Sequence, residues 1–385
     1  VEFSERVDAL EPSATLALAA RARALREEGR SIVDLSAGEP VWDTPGYAAR
    51  AAIDAIEAGK TGYPPTPGIP ELRSAAAEFL TSTTRRTVDP GEVLVSNGVK
   101  HALFNCVFSL FGPGDEVLVP APYWTSYLPQ IHLAGAEPVV VPTRWGDGFR
   151  PDPDLLEQHR TDRTRGLLLN SPGNPTGAVL PLSLMQEIAS WADRHGLWIL
   201  SDEIYRQLNL GDGLAPSLFE LEELPERSVV LDGVSKSFAM PGFRIGWAAG
   251  PRELISRAAN LQSQTTSGAS CPSQHAAAAA VGGSEREEAV GRFRRRLRDA
   301  VETSVEGLGD IPGMEVRAPE GGMFLFTRVR DADTGDVAER LLVDAGVAAV
   351  PGEAFGAPGH LRFNLAVEAD TLREGMRRVR DYFGG

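Results

Sequence analysis

The stretch SVVLDGVSKSFAMPGFRIGWAA, residues 228–249, decides how this chain reads. Two apolar strand-like runs, Ser228–Leu231 and Ile245–Ala249, enclose a polar connection punctuated by Pro and Gly. Lys236 follows the first run, and Arg244 stands eight residues later in an apolar, glycine-flanked segment. Lysine favours solvent, so taken alone Lys236 reads as a surface turn residue. A lysine and an arginine directed at one crevice, with Ser235 beside them, suit a phosphate.

Runs of the same kind recur upstream at Val93–Val95, Glu116–Val119, Pro138–Val141, Gly166–Leu169 and Leu197–Leu200. Helical patterns fill several intervals, at Lys100–Leu110, Leu182–His195 and Arg252–Gln264. This alternation predicts an α/β protein with a mainly parallel seven-stranded sheet flanked by helices. A helix over Ser13–Glu28, with Ser13 as its N-cap, and a short strand at Ile32–Leu35 precede the sheet. Glu285–Leu308 reads as a long charged helix leaving this region, and the chain from Met314 onward as a smaller α+β unit. The expected division is a large domain over 41–290 and a small domain of 1–40 plus 291–385. The basic run RFRRRLR at 292–298 reads as a solvated helix face rather than a phosphate site.

In an open α/β sheet the ligand lies beyond the carboxyl ends of the strands. Four polar strand ends are candidates: Ser96-Asn97-Gly98, Asn170 to Asn174, Ser201-Asp202 and Ser235-Lys236. Ser96 to Lys100 opens a helix after a strand, and free N–H groups there cradle a phosphate. It lacks G-x-G-x-x-G, which argues against a dinucleotide. Asp202 is either a turn carboxylate or one that keeps a heteroaromatic nitrogen protonated, with Tyr205 three residues on. The loop NSPGNPTG at 170–177 holds Asn174 in one orientation.

Composition narrows the class. The 385 residues carry 38 Lys+Arg and 53 Asp+Glu, so 38 − 53 = −15. That charge argues against wide nucleic-acid or anionic-membrane contact. No apolar run reaches the roughly 18 residues of a membrane span. The N-terminal residues show no basic-then-apolar signal pattern. Cys106 and Cys271 form no disulfide framework, so a cytoplasmic setting is expected. Cys271 and His275 stand four apart, but two ligands do not make a metal site, and no metal is expected.

These segments, taken together and in order, resemble the fold type I pyridoxal-phosphate (PLP) aminotransferases, in particular the bacterial branch of the aspartate aminotransferase family. PSAT at 12–15, AGEP at 37–40, YPPTPGIPELR at 63–73, PYW at 122–124, VPGEAFG at 350–356 and LRFN at 361–364 extend the match nearly end to end. The resemblance implies a ping-pong Schiff-base mechanism with Lys236 as the cofactor lysine and proton shuttle. Asp202 would pair with the pyridinium nitrogen. Asn174 and Tyr205 would bind the ring oxygen, and Trp124 would stack on the ring. Gly98, Val99, Ser235 and Arg244 would hold the phosphate, with Lys100 close by and Tyr63 supplied to a neighbouring subunit. Arg362, helped by the Gly38 backbone, would clamp the substrate α-carboxylate.

Lys100, with the hydroxyls of Ser13 and Thr15, would recognise a distal carboxylate. The implied reaction is aspartate:2-oxoglutarate amino transfer between an amino acid and a 2-oxo acid, by a homodimer with shared sites. Prephenate, aromatic or other amino-acid aminotransferases, C–S lyases and aminocyclopropane-forming enzymes share the same core residues. A PLP-binding regulator is the alternative from another class. It would carry an N-terminal DNA-binding domain, whereas here the pattern begins within about a dozen residues of Val1. Pro241, Phe243 and Trp247 depart from the residues common at those places and bear on substrate preference.

Overall fold

The structure, a computed structural model, describes residues 4–8, 10 and 14–384. Seven strands build one sheet: β1 Val93–Ser96, β2 Glu116–Ala121, β3 Glu137–Pro142, β4 Thr164–Asn170, β5 Trp198–Asp202, β6 Ser228–Gly233 and β7 Gly246–Ala249. Their order across the sheet is β1-β7-β6-β5-β4-β2-β3. Every neighbouring pair is parallel except the two that involve β7. Each expected run is a strand, within a few residues at its ends. The strands inside the sheet are buried on both faces because helices cover both, whereas the edge strand β3 is largely exposed. The helices Val99–Leu110 and Arg252–Thr265 flank the sheet end near β1 and β7. No described helix is long and apolar enough to cross a membrane.

A second, antiparallel sheet has the order Val350–Pro351, His360–Asn364, Phe324–Val329, Met314–Glu315. Val33–Asp34 pairs with Val347–Ala348 in a separate parallel ribbon. The helix expected over Ser13–Glu28 spans Ala14–Glu27, and Ser13, its expected cap, lies outside the described residues. Ala22 and Leu25 fix that helix against Leu342 and Ala348.

The long helix Arg286–Leu308 buries Ala289, Phe293, Leu297, Ala300, Ser304 and Leu308, a stripe at three- and four-residue spacing. Its basic run ties down loops. Arg294 donates to the Gly213 carbonyl, Arg298 to the Leu210 and Gly211 carbonyls, and Arg296 pairs with Glu368.

Under the end of β1 lies a buried amide clamp. Gln262 accepts from Ser96 Oγ at 2.6 Å and from Asn105 Nδ2 at 2.8 Å. Its own Nε2 donates to the Thr66 and Val95 carbonyls. Every bond is internal, so the turn Asn97-Gly98 above is held in place.

Candidate active site

A cavity of about 510 Å³ opens where the carboxyl ends of the large sheet face the helix Ala14–Glu27 and the strand His360–Asn364. Its walls come from segments far apart in sequence, as strand-end convergence predicts.

One corner is shaped for an anion. Gly98 has φ +83, and the helix Val99–Leu110 begins after it with no side chain capping its first N–H groups. A Cβ on Gly98 would lie 2.9 Å from Arg244 Nη2. A Cβ on Gly246 would collide with the Val99 amide nitrogen. Both glycines therefore permit a close approach that no other residue allows. Arg244 sits at φ +54 and is fastened by a 2.8 Å bond from Nη1 to the Pro241 carbonyl. Ser235 is buried on the same wall. Uncapped N–H groups, a guanidinium and a hydroxyl make an anion cradle.

Asp202 ends β5 and is 2% exposed. Its Oδ2 accepts a 2.8 Å bond from the Tyr127 hydroxyl, and Oδ1 accepts from the Ile204 amide at 3.2 Å. Burial pushes the carboxyl up to about 6, although Tyr127, Ile204 and the nearby Lys236 all pull it down. A cationic ring nitrogen would relieve that burial cost. Asn170 Nδ2 donates to the Asp202 carbonyl, and its Oδ1 accepts from the Asn174 amide, both at 2.8 Å. The loop and the strand end are thus joined. Trp124 meets Tyr127 edge-on, with ring centres 5.5 Å apart. Tyr205 is buried against Phe324, and burial pushes its phenol up.

Lys236 is half-buried, and Nζ donates to the Gly38 carbonyl at 2.5 Å. Burial, with Arg362 and Arg244, lowers its ammonium to about 8 against the opposing pull of Glu39 and Asp202. An amine of this kind is a competent nucleophile and proton carrier near neutral pH.

Arg362 is 2% exposed and lies over Phe324 and Phe355, 4.2 and 4.9 Å from their ring centres. Nη1 donates to Asn174 Oδ1 at 3.1 Å and Nη2 to the Ser36 carbonyl at 2.8 Å. Nε is buried with no acceptor among the described residues. Burial pulls the guanidinium down to about 10. A buried cation facing neutral acceptors fits an incoming carboxylate. Lys100 lines the cavity from the first turn of the helix Val99–Leu110, with Nζ 5.0 Å from the Trp124 ring centre. Burial and Arg244 lower its ammonium.

Of the residues expected from sequence, Gly38, Val99, Lys100, Trp124 and Asn174 line this cavity. Asp202, Tyr205, Ser235, Lys236, Arg244 and Arg362 line it too. Gly98 stands against Arg244 at its edge. Tyr63 is elsewhere, fully exposed at 100%. Ser13 and the side chain of Thr15 lie outside the described residues. Sequence reasoning missed Tyr127 and the Ser36 carbonyl, and it named Asn170 only as the start of a polar strand end; Arg23 also lines the cavity. Of the missed groups only Tyr127 had a local signal, as the second tyrosine of PYWTSY at 122–127.

The profile of aminotransferase class I and II matches residues 30–379. An aspartate aminotransferase of Streptomyces avermitilis is 42% identical over 98% of this chain and 95% of its own. An aspartate/prephenate aminotransferase of Thermus thermophilus is 40% identical over 99% of both. The structure of aspartate aminotransferase from Thermus thermophilus with maleate superposes with a TM-score of 0.94 at 39% identity, covering 99% of each chain. Enzymes of this class use pyridoxal phosphate, and the anion cradle, the buried Asp202 and the low-pKa Lys236 fit that group. The chain belongs to the aminotransferase class I and II family and is an amino-group transferase of the PLP fold type I.

Proposed function

We propose that this cavity binds pyridoxal phosphate and transfers the amino group of a dicarboxylic amino acid, aspartate first, to 2-oxoglutarate. The observation that carries the proposal is the meeting of three unusual groups in one cavity. They are an amine lowered to about 8, a buried carboxylate raised to about 6 and a buried guanidinium with an orphaned Nε. Relatives named aspartate aminotransferase support the substrate. Others named aspartate/prephenate aminotransferase favour prephenate as a second acceptor.

When bound, pyridoxal phosphate supplies a carbonyl carbon that carries the amino group and a ring that accepts electron density from the substrate Cα. Lys236 Nζ would hold that carbonyl carbon and would move the proton at the substrate Cα. Asp202 keeps a proton on the ring nitrogen, and Tyr127 and the Ile204 amide orient its carboxylate. Asn174 and Tyr205 would hold the ring oxygen, and Trp124 would stack on the ring. Gly98, Val99, Ser235 and Arg244 would hold the phosphate. Arg362 takes the α-carboxylate with the Gly38 backbone, and Lys100 takes the distal one, assisted by Ser13 or Thr15.

Tyr63, exposed at 100%, would serve the phosphate of a second copy, so the working unit is a homodimer. The chain would divide into a large domain of 41–290 and a small domain of 1–40 plus 291–385, and the enzyme would act in the cytoplasm. The test is a half-reaction screen. The pyridoxal form is mixed with each amino acid, and its absorbance is followed to the aminated form. Aspartate and glutamate should convert it fastest. Faster conversion by phenylalanine or alanine overturns the dicarboxylate assignment.

A further inference from the structure

Cationic side chains crowd the cavity. Arg23, Lys100, Lys236, Arg244 and Arg362 line it, against the two carboxylates Glu39 and Asp202. The roles proposed above engage four of these cations and leave Arg23. It stands on the helix Ala14–Glu27, whose Ala22 and Leu25 are fixed in the small core with Leu342 and Ala348. Its neighbours are occupied elsewhere. Arg21 lies 4.0 Å from Glu339, and Arg26 lies 3.2 Å from Asp34.

Among the described residues Arg23 has no carboxylate within 4.0 Å. It lines the cavity with Ala19, one helical turn earlier. Residues four apart share a helix face, and Thr15 continues the same spacing. Lys100 reaches the cavity from the other side of the fold, at the start of the helix Val99–Leu110. Two cations on one cavity repel until an anion joins them. A guanidinium fork matches a carboxylate in a way that an ammonium does not.

We infer that Arg23 is a specificity-determining residue, which binds the distal carboxylate of a dicarboxylic substrate from the N-terminal helix while Lys100 binds it from the large sheet. The inference rests on the dicarboxylate reading proposed above. In sequence, an arginine in an amphipathic helix carries no mark of function.

The test uses the full chain with pyridoxal phosphate bound. Succinate and propionate, which have no amino group to transfer, are titrated while the cofactor's absorption is followed. Arg23 is exposed on a helix and glutamine is a good helix former, so Arg23→Gln should fold normally. Wild type should bind succinate more tightly than propionate. Arg23→Gln should weaken succinate about tenfold, the worth of one charge-assisted hydrogen bond, and leave propionate unchanged. Arg23→Lys should fall between the two. With aspartate as donor the variant should lose in KM rather than kcat, and with alanine in neither.

Equal losses for succinate and propionate, or no loss for either, would overturn the role of Arg23 while the wild-type preference for succinate still upholds the dicarboxylate reading. A wild type that binds both alike would overturn that reading, and Arg23's role with it.

Discussion

The hydroxyl of Tyr127 donates a 2.8 Å hydrogen bond to Oδ2 of Asp202, in the interior of the large sheet's carboxyl end. That bond stabilises the ionised carboxylate, which burial opposes. Tyr127→Phe should therefore raise the Asp202 pKa further. Cofactor binding needs the carboxylate ionised and weakens as pH falls through that pKa. In Tyr127→Phe the acid limb of pyridoxal-phosphate affinity should move upward by about one pH unit, since a hydrogen bond of this kind is worth about 1–1.5 kcal/mol. An unmoved limb would mean that Tyr127 merely packs.

Asp202 makes a stability prediction with a definite sign. Its folded pKa, about 6, lies above the ordinary 3.8, so the folded state holds the proton more tightly than the unfolded chain. The cofactor-free protein then loses stability as pH rises from 3.8 to about 6. Asn cannot ionise and loses nothing. At pH 7.5, cofactor-free Asp202→Asn should be more stable than wild type by about 1–3 kcal/mol. The gap should close below pH 4 in denaturant melts. Turnover should fall by about 10²-fold or more, the usual worth of a positioned proton-holding group. A less stable variant at pH 7.5 would contradict the burial cost assigned to Asp202.

Arg362→Lys should be costly for every amino acid, because the α-carboxylate is common to all. Two of its nitrogens are already committed to Asn174 and Ser36, and a lysine cannot reproduce that fork. Losing a buried, hydrogen-bonded charge partner costs about 2–5 kcal/mol, or roughly 30- to several-thousand-fold in kcat/KM. The loss should be alike for aspartate and phenylalanine. Selective loss with aspartate would place Arg362 at the distal carboxylate instead.

Lys100→Ala should show the opposite selectivity. Aspartate kcat/KM should fall far more than phenylalanine kcat/KM, with cofactor binding kept. Sites that hydrogen-bond a buried polar group can reject analogues by about 10⁴–10⁵. The effect here should be smaller, because Lys100 is only partly covered and its stem can swing toward solvent. Equal losses for both substrates would assign Lys100 to the phosphate or the fold.

The large sheet was legible because its strands are continuous apolar runs ended by polar residues, as at Leu197–Leu200 before Ser201-Asp202. The sequence could not say that β7 runs against its neighbours, since an apolar run has no direction. Lys236, Asp202 and Arg244 were legible as chemistry out of place at strand ends. Tyr127 was harder to see, because a tyrosine on a helix reads as core, and only its hydroxyl partner gives it a second task. Asn170 was legible as a polar strand end, but its bond to the Asp202 carbonyl and that of Arg362 to the Ser36 carbonyl span 32 and 326 positions of chain, which no local pattern encodes.

The most direct test of the central claim is to reduce the pyridoxal-phosphate enzyme with borohydride and find the modified lysine by peptide mass spectrometry, with and without aspartate. The chain has only three lysines, Lys60, Lys100 and Lys236, so the assignment is unambiguous. The label should sit on Lys236 alone, and prior addition of aspartate should remove it by drawing the cofactor off the lysine. A label on Lys60 or Lys100, or a Lys236 label that aspartate leaves untouched, would contradict the account.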